Sequence, residues 1–222
     1  GHAQQLGSLP DVNVSVAEII GIVRTMIHRT SDIEREMAKS EKRSQELRHH
    51  LDEALRTADE DELTGVPNRR AFEKIYEQEY REAREALDPL VVAFCDIDHF
   101  KKINDTHGHD TGDRVLRAVA RTLFRISSER CYVARHGGEE FAVLFRGKSL
   151  QDAADILDEA RKSLSERRFV NRETDTPIGF VTFSAGISNV FAYPDRSAAL
   201  KAADTALYWA KENGRNQIAL AE

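Results

Sequence analysis

Two acidic clusters stand where the chain can bring them together. Leu90-Val91-Val92-Ala93-Phe94-Cys95 is a continuous apolar run, followed directly by Asp96-Ile97-Asp98. Farther on, Glu139 and Glu140 follow Gly137-Gly138 between two β-rich runs. A carboxylate leaving the end of a buried strand is well placed for a cleft. If the hairpin pairs beside the first strand, Asp96 and Glu139 converge. Two convergent carboxylates with few other ligands suit Mg²⁺, which keeps waters and takes substrate phosphates. Two such ions can activate an attacking oxygen and neutralise a leaving pyrophosphate. Taken singly, each acid reads as a solvated turn residue. Ligand type alone does not separate Mg²⁺ from Mn²⁺.

Between the acids lie Phe100-Lys101-Lys102-Ile103-Asn104-Asp105 and Gly108-His109-Asp110-Thr111-Gly112-Asp113. They read as a loop leading into a helix N-terminus, where backbone donors and a Lys would cradle phosphate. Asn104 and Asp113 could read a base edge, since an Asp accepts from the N1–H and N2–H of guanine. Lys211 and Arg215, at i and i+4, would offer two cations to phosphate oxygens, or simply complete a helix C-terminus. His107 and His109 have no other nitrogen or sulfur ligand nearby and read as loop-shaping. Cys95 reads as core. Ser184-Ala185-Gly186 lacks the surroundings of a nucleophile elbow.

The elements that must position these residues follow from periodicity. Helical faces are expected at about 69–86, 112–126, 150–164 and 200–210. Strands are expected at 90–95, 131–135, 140–145 and 180–184, with an edge strand at 217–220. The order β-α-β-β-α-β, with additions, points to an α+β fold, a ferredoxin-like α/β sandwich with an antiparallel central sheet.

A different pattern precedes this domain. No aromatic residue occurs before Phe72, and no Gly or Pro lies between Gly21 and Gly65. Val16, Ile19, Val23, Met26, Thr30, Ile33, Met37, Ser40, Ser44, Leu47, Leu51, Ala54 and Ala58 step by 3 and 4 throughout. That is the seam of a left-handed coiled coil, read here as a parallel homodimer. Thr30, Ser40 and Ser44 weaken its middle and leave room for a register switch. The expected organisation is a tag remnant or disordered start at 1–11, a dimeric coiled coil at 12–60 and a catalytic domain at 61–222.

Composition narrows the class. Among 222 residues, 32 Lys+Arg face 38 Asp+Glu, a net charge of −6, so a strongly basic nucleic-acid binder is not expected. No stretch approaches the roughly 20 apolar residues of a membrane span. Two cysteines, Cys95 and Cys131, exclude a disulfide scaffold and point to a reducing, cytoplasmic setting. Gly1-His2 without an initiator Met reads as a tag scar, so an upstream sensor domain or partner stays open.

Together the segments resemble the GGDEF family of bacterial diguanylate cyclases over about residues 59–220. The resemblance rests on Asp61–Arg70, Asp96–Asp105, Gly108–Asp113, Arg135–Phe141 and Lys211–Asn216, in the family's order and spacing. The signature here is the GGEEF form. The resemblance implies a nucleotidyl-cyclase palm that condenses two GTP into cyclic di-GMP and two pyrophosphates across a homodimer. Asp96, the Ile97 backbone carbonyl and Glu139 would bind two Mg²⁺ during catalysis. Glu139 would also assist deprotonation of the ribose 3′-OH, and Glu140 would complete the acidic cluster. Lys211 and Arg215 would hold the triphosphate, with Phe100 and Lys101 on the phosphate-wrapping loop. Asn104 and Asp113 would recognise guanine, and Gly137 and Gly138 would leave room for nucleotide.

Two positions depart from the family pattern. His136 stands where the family usually has Tyr or Phe. The product-inhibition motif Arg-x-x-Asp is replaced by Ser128-Glu129-Arg130-Cys131, so no inhibitory site is expected. The competing reading is a catalytically inert GTP-binding or signalling module. Its expected mark is damage at the signature or metal positions, and none is present.

Overall fold

The computed structural model describes residues 16–171 and 176–221, without the side chains of 51–57. The expected tag remnant at 1–11, the seam side chains of Leu51 and Ala54, and Glu222 lie outside the described residues. The chain divides into two compact units, Gly1–Ala54 and Leu55–Glu222.

The first unit is built on helix α1, Val16–Asp59, which crosses the unit boundary. The helix runs 44 residues, about 66 Å at 1.5 Å per residue, and tolerates Gly21 near its start because no Gly or Pro follows within it. Val16, Ile19, Val23, Met26, Ile33, Met37 and Leu47 are all exposed on this single helix. Thr30 satisfies its hydroxyl within the helix by donating to the Met26 carbonyl at 3.0 Å. Surface pairs such as His28–Asp32 and Lys42–Glu46 lie at i, i+4 and contribute a few tenths of a kcal/mol each.

The second unit is a sheet covered on both faces. Helix α2, Arg69–Ala86, starts at Asn68, whose side chain accepts from the Ala71 N–H. Strand β1, Leu90–Ile97, follows. Then come helices α3, Phe100–His107, and α4, His109–Phe124, and the hairpin of β2, Cys131–Gly137, and β3, Glu140–Arg146. Helix α5, Leu150–Ser165, opens on a Ser149–Asp152 capping box. Strands β4, Arg168–Val170, and β5, Pro177–Phe180, pair with each other. Strand β6, Phe183–Asn189, helix α6, Arg196–Glu212, and strand β7, Ile218–Leu220, complete the unit.

The main sheet has order β2-β3-β1-β6-β7. β1 pairs antiparallel with both β3 and β6, and β7 adds to β6 in parallel. The first four strands have the arrangement expected of a ferredoxin-like palm. Strand alternation then sorts the core. Val91, Ala93, Cys95 and Ile97 face α4 and α5, while Leu90 and Val92 face α2 and α6. Gly186 lets α6 lie directly on β6, because a Cβ there would run into the α6 backbone at Ala203 and Leu207.

Three expectations need correction. The segment read as a phosphate-cradling loop is helical: α3 spans Phe100–His107, and Gly108 alone separates it from α4. His107 and His109 therefore end one helix and begin the next. Gly108 takes φ 80°, a conformation open to Gly, and so breaks two otherwise continuous helical sequences. The strand read at 180–184 is two strands, because β5 turns away to pair with β4. The hairpin tip is Gly138-Glu139, since Gly137 already pairs with Glu140 after a bulge at Arg135–Gly137.

Candidate active site

Asp96 lies on the same face of β1 as Leu90 and Val92, two residues beyond Phe94. It is therefore directed to the α6 side, where Lys211 Nζ stands 2.8 Å from its Oδ2. Across the ladder Asp96 sits opposite Glu140. The Ile97 N–H reaches the Glu139 carbonyl at 3.4 Å. The strand end and the hairpin tip thus meet through their backbones, with Asp96 and Ile97 beside Glu140 and Glu139. Burial pushes the Asp96 carboxyl above its ordinary range. Lys211 opposes that rise, and the neighbouring Glu139 and Asp98 carboxylates add to it.

The hairpin tip is held from below. Arg135 donates to the Gly138 carbonyl from Nε at 3.0 Å and Nη2 at 2.7 Å. Its Nη1 reaches Asp61 Oδ1 at 2.9 Å, and Asp61 also accepts from the Thr64 N–H and hydroxyl. Burial raises the Asp61 carboxyl, but these donors outweigh it and leave the pKa below the usual range. Gly138 takes φ 47° in the turn. Gly137 is exposed, and a Cβ there would meet nothing within 4 Å among the described residues.

On α3, Phe100 is buried and Lys101 is exposed one residue on. Asn104 Oδ1 is buried without a hydrogen-bond partner among the described residues. Gly112 of α4 makes its space, because a methyl group at 112 would overlap Asn104 Oδ1. Asp113 follows Gly112 in the first turns of α4 and is half-buried. A buried amide oxygen lacking a donor is costly in a finished fold and natural in a ligand site.

Beyond Lys211, α6 ends and the chain turns through Gly214, Arg215 and Asn216, all with positive φ. The Asn216 N–H donates to Asp98 Oδ2 at 3.0 Å. Asp98, Arg135, Asp61 and Gly112 had no site role in the sequence reading. The available signal for Asp98 was polar Thr182 and Ser184 alternating inside an apolar segment.

A cavity of about 380 Å³ adjoins Glu140, lined in part by Phe72, Phe94 and His136. The His136 ring meets Phe94 edge-on at 5.0 Å. Burial, with the Arg69 charge, holds its pKa below the ordinary value against the pull of Glu140 and Glu73.

The family model "Diguanylate cyclase, GGDEF domain" matches residues 58–217. The chain belongs to the GGDEF diguanylate cyclase family. Its GGDEF domain and preceding segment are 34% identical over 204 residues to the diguanylate cyclase DgcP of Pseudomonas aeruginosa, covering 92% of this chain and 29% of DgcP. The response regulator PleD of Caulobacter vibrioides is 39% identical over 173 residues, covering 78% of this chain and 38% of PleD. The chain thus spans about a third of these relatives. Among solved structures, the coiled coil and GGDEF domain of DgcB from Caulobacter crescentus, in complex with c-di-GMP, is similar at TM-score 0.81. It is 36% identical, over 85% of this chain and 99% of that one. The active GGEEF domain of a diguanylate cyclase from Vibrio cholerae is similar at TM-score 0.64 and 31% identity, over 70% of this chain and 97% of that one. Among the described residues, no helix is long and apolar enough to cross a membrane.

The donor set fits a hard divalent cation. Among the described residues no group of three His, Cys, Asp or Glu side chains converges. Asp96 and Glu139 with one carbonyl would leave the remaining positions to water and phosphate, as Mg²⁺ prefers. The Lys211 ammonium against Asp96 shows that this carboxylate calls for a positive partner.

Proposed function

We propose that the chain is a diguanylate cyclase that condenses two GTP into cyclic di-GMP and two pyrophosphates across a homodimer. The observation that carries this reading is the meeting of Asp96 with the Glu139-Glu140 turn beside Lys211. The Asn104 oxygen supports it, since this buried acceptor has no donor among the described residues.

In this reading Asp96, the Ile97 carbonyl and Glu139 hold two Mg²⁺, with Mn²⁺ an acceptable substitute. The metal supplies charge neutralisation at the triphosphate and lowers the pKa of the attacking hydroxyl. Asn104 and Asp113 fix guanine, with Asp113 accepting from N1–H and N2–H. Phe100 and Lys101 bound the phosphates at the start of α3, and Lys211 and Arg215 bind their oxygens. Lys211 exchanges its contact with Asp96 for one with phosphate. Glu139 assists removal of the 3′-hydroxyl proton, and Glu140 keeps the site acidic. The 3′-oxygen of one GTP attacks the α-phosphorus of the other, and the α–β bridging oxygen leaves with pyrophosphate. Repetition in the reverse sense closes the ring.

Each domain offers one such half-site, so two must face each other. The seam of α1 supplies a parallel homodimer that raises the effective concentration of one domain near the other. Its polar middle would let an upstream domain or partner alter the alignment. Ser128 and Cys131 replace both anchors of the product-inhibition motif and instead bond to each other through their backbones at the start of β2. Cyclic di-GMP should therefore inhibit only by competing at the active site.

The test is incubation of the chain with GTP and Mg²⁺, with nucleotides resolved by chromatography and oligomeric state measured by sedimentation. Cyclic di-GMP from a dimer is expected. A folded dimer that binds GTP, makes no product and is not rescued by inserting one to four residues near Ala58 would favour the inert module.

A further inference from the structure

We propose that Asp98 is a positioning residue for GTP binding: it holds the turn that carries Arg215. This rests on the proposed phosphate role of Arg215. Asp98 is buried, with 5% of its surface exposed. Among the described residues it has no cationic partner, and its carboxylate accepts from neutral donors instead. Oδ1 accepts from the Ser184 hydroxyl at 2.7 Å. Oδ2 accepts from the Thr182 hydroxyl at 2.7 Å and from the Asn216 N–H at 3.0 Å. A buried carboxylate is costly unless its lone pairs are satisfied, and these three donors satisfy it.

The turn needs such an anchor. Arg215 takes φ 60° and Asn216 φ 46°, two successive non-Gly residues in the left-handed region. Such a conformation is strained for a residue with a side chain and persists only when its surroundings over-determine it. Gln217 Nε2 closes the turn by donating to the Ala210 and Asn213 carbonyls at 3.0 and 2.7 Å, and three further contacts hold Arg215 and Asn216. The Arg215 N–H returns to the Ala210 carbonyl at 3.0 Å, capping α6. Arg161 Nη1 donates to Asn216 Oδ1 at 2.7 Å. Asp98 takes the Asn216 N–H. Of these, the last ties Arg215 and Asn216 to the strand end that bears Asp96, because Asp98 lies two residues beyond it, and it adds to the Lys211–Asp96 contact one turn earlier. The same anchor therefore sets the height of Arg215 above the acidic residues. It also assigns a purpose to Ser184, which is an Asp98 ligand.

The experiment is a double-mutant cycle in the full chain, reading KM for GTP, kcat and Tm. Asp98→Asn keeps the shape but turns donors toward donors. It should raise KM about tenfold, with a smaller change in kcat. Arg215→Ala should raise KM by a similar factor. The double variant should be no more than about twofold worse than Arg215→Ala alone, because both changes remove the same contact. Thr182→Val removes one ligand, guards against misfolding, and should raise KM about threefold.

Multiplicative KM effects of Asp98→Asn and Arg215→Ala would overturn the proposal, showing that Asp98 acts elsewhere. Unchanged KM in both Asp98→Asn and Thr182→Val would overturn it as well. Unchanged KM in Arg215→Ala would instead show that Arg215 does not bind phosphate, and the positioning role would fall with that assignment.

Discussion

Lys211 Nζ lies 2.8 Å from Asp96 Oδ2, so the terminal turn of α6 supplies the counter-charge of a carboxylate at the end of β1. Neither position is near the other in sequence. The contact depends on Gly186, which brings α6 down onto β6.

Lys211→Ala should weaken GTP binding by about 2 kcal/mol, roughly thirtyfold in KM, through loss of a charge-assisted bond to phosphate. It should also destabilise the protein without nucleotide, and the pH dependence gives the sign. Burial already raises the Asp96 pKa, and losing Lys211 raises it further. A carboxyl with a raised folded pKa stabilises the fold at low pH and loses that contribution as pH rises through the folded value. The Tm gap between variant and wild type should therefore be widest at neutral pH and close on acidification. A gap independent of pH would contradict the pairing.

Gly112→Ala separates binding from stability. Ala is the better helix former, which offsets the crowding of the added methyl against the end of the Asn104 side chain and, at 3.2 Å, the Phe100 ring. Tm should change little, while KM for GTP should rise about tenfold as Asn104 is displaced from the base. Unaltered KM would remove Asn104 from the guanine site.

Arg135→Ala should act on the hairpin tip. The guanidinium joins the Gly138 carbonyl to Asp61, with 14% and 22% of the Arg135 and Asp61 side chains exposed. Its loss should cost about 2–3 kcal/mol of stability. It should lower kcat more than it raises KM, because Glu139 shares that turn. Arg135→Lys should not restore either property, since a Lys cannot span both acceptors. Denaturant unfolding and steady-state kinetics would check both.

His136 gives the chain an acid-side slope. Its pKa in the fold is lowered by burial and Arg69. The unfolded imidazole takes up its proton near pH 6.5, before the folded one does. Stability is thus complete above that pH and falls as pH drops toward the folded value. His136→Phe should flatten the slope of Tm against pH below about 6.5. An unchanged slope would assign the acid sensitivity to other groups.

Much of this arrangement was legible in the sequence, and the reason is local. The continuous apolar run Leu90–Cys95, the Gly-Gly hairpin and the heptads of α1 each announce themselves within a short window. Pairing β1 beside β3 then makes Asp96 meet Glu139-Glu140 almost by construction. What escaped is non-local or hinges on one backbone angle. Gly108 looked like part of a loop but splits two helices. Asp98 gains its meaning from Thr182, Ser184 and Asn216, each more than 80 positions away. The Arg135–Asp61 pair joins residues 74 apart, and no periodicity encodes it.

The most direct measurement is GTP turnover with Mg²⁺ by the wild-type chain beside Glu139→Gln and Asp96→Asn, with GTP binding and Tm recorded for each. The acidic cluster predicts cyclic di-GMP and pyrophosphate from wild type. It predicts a loss of at least about a hundredfold in both variants, which remain folded. Product formed by either variant at the wild-type rate would contradict the assignment of the catalytic centre to Asp96 and Glu139.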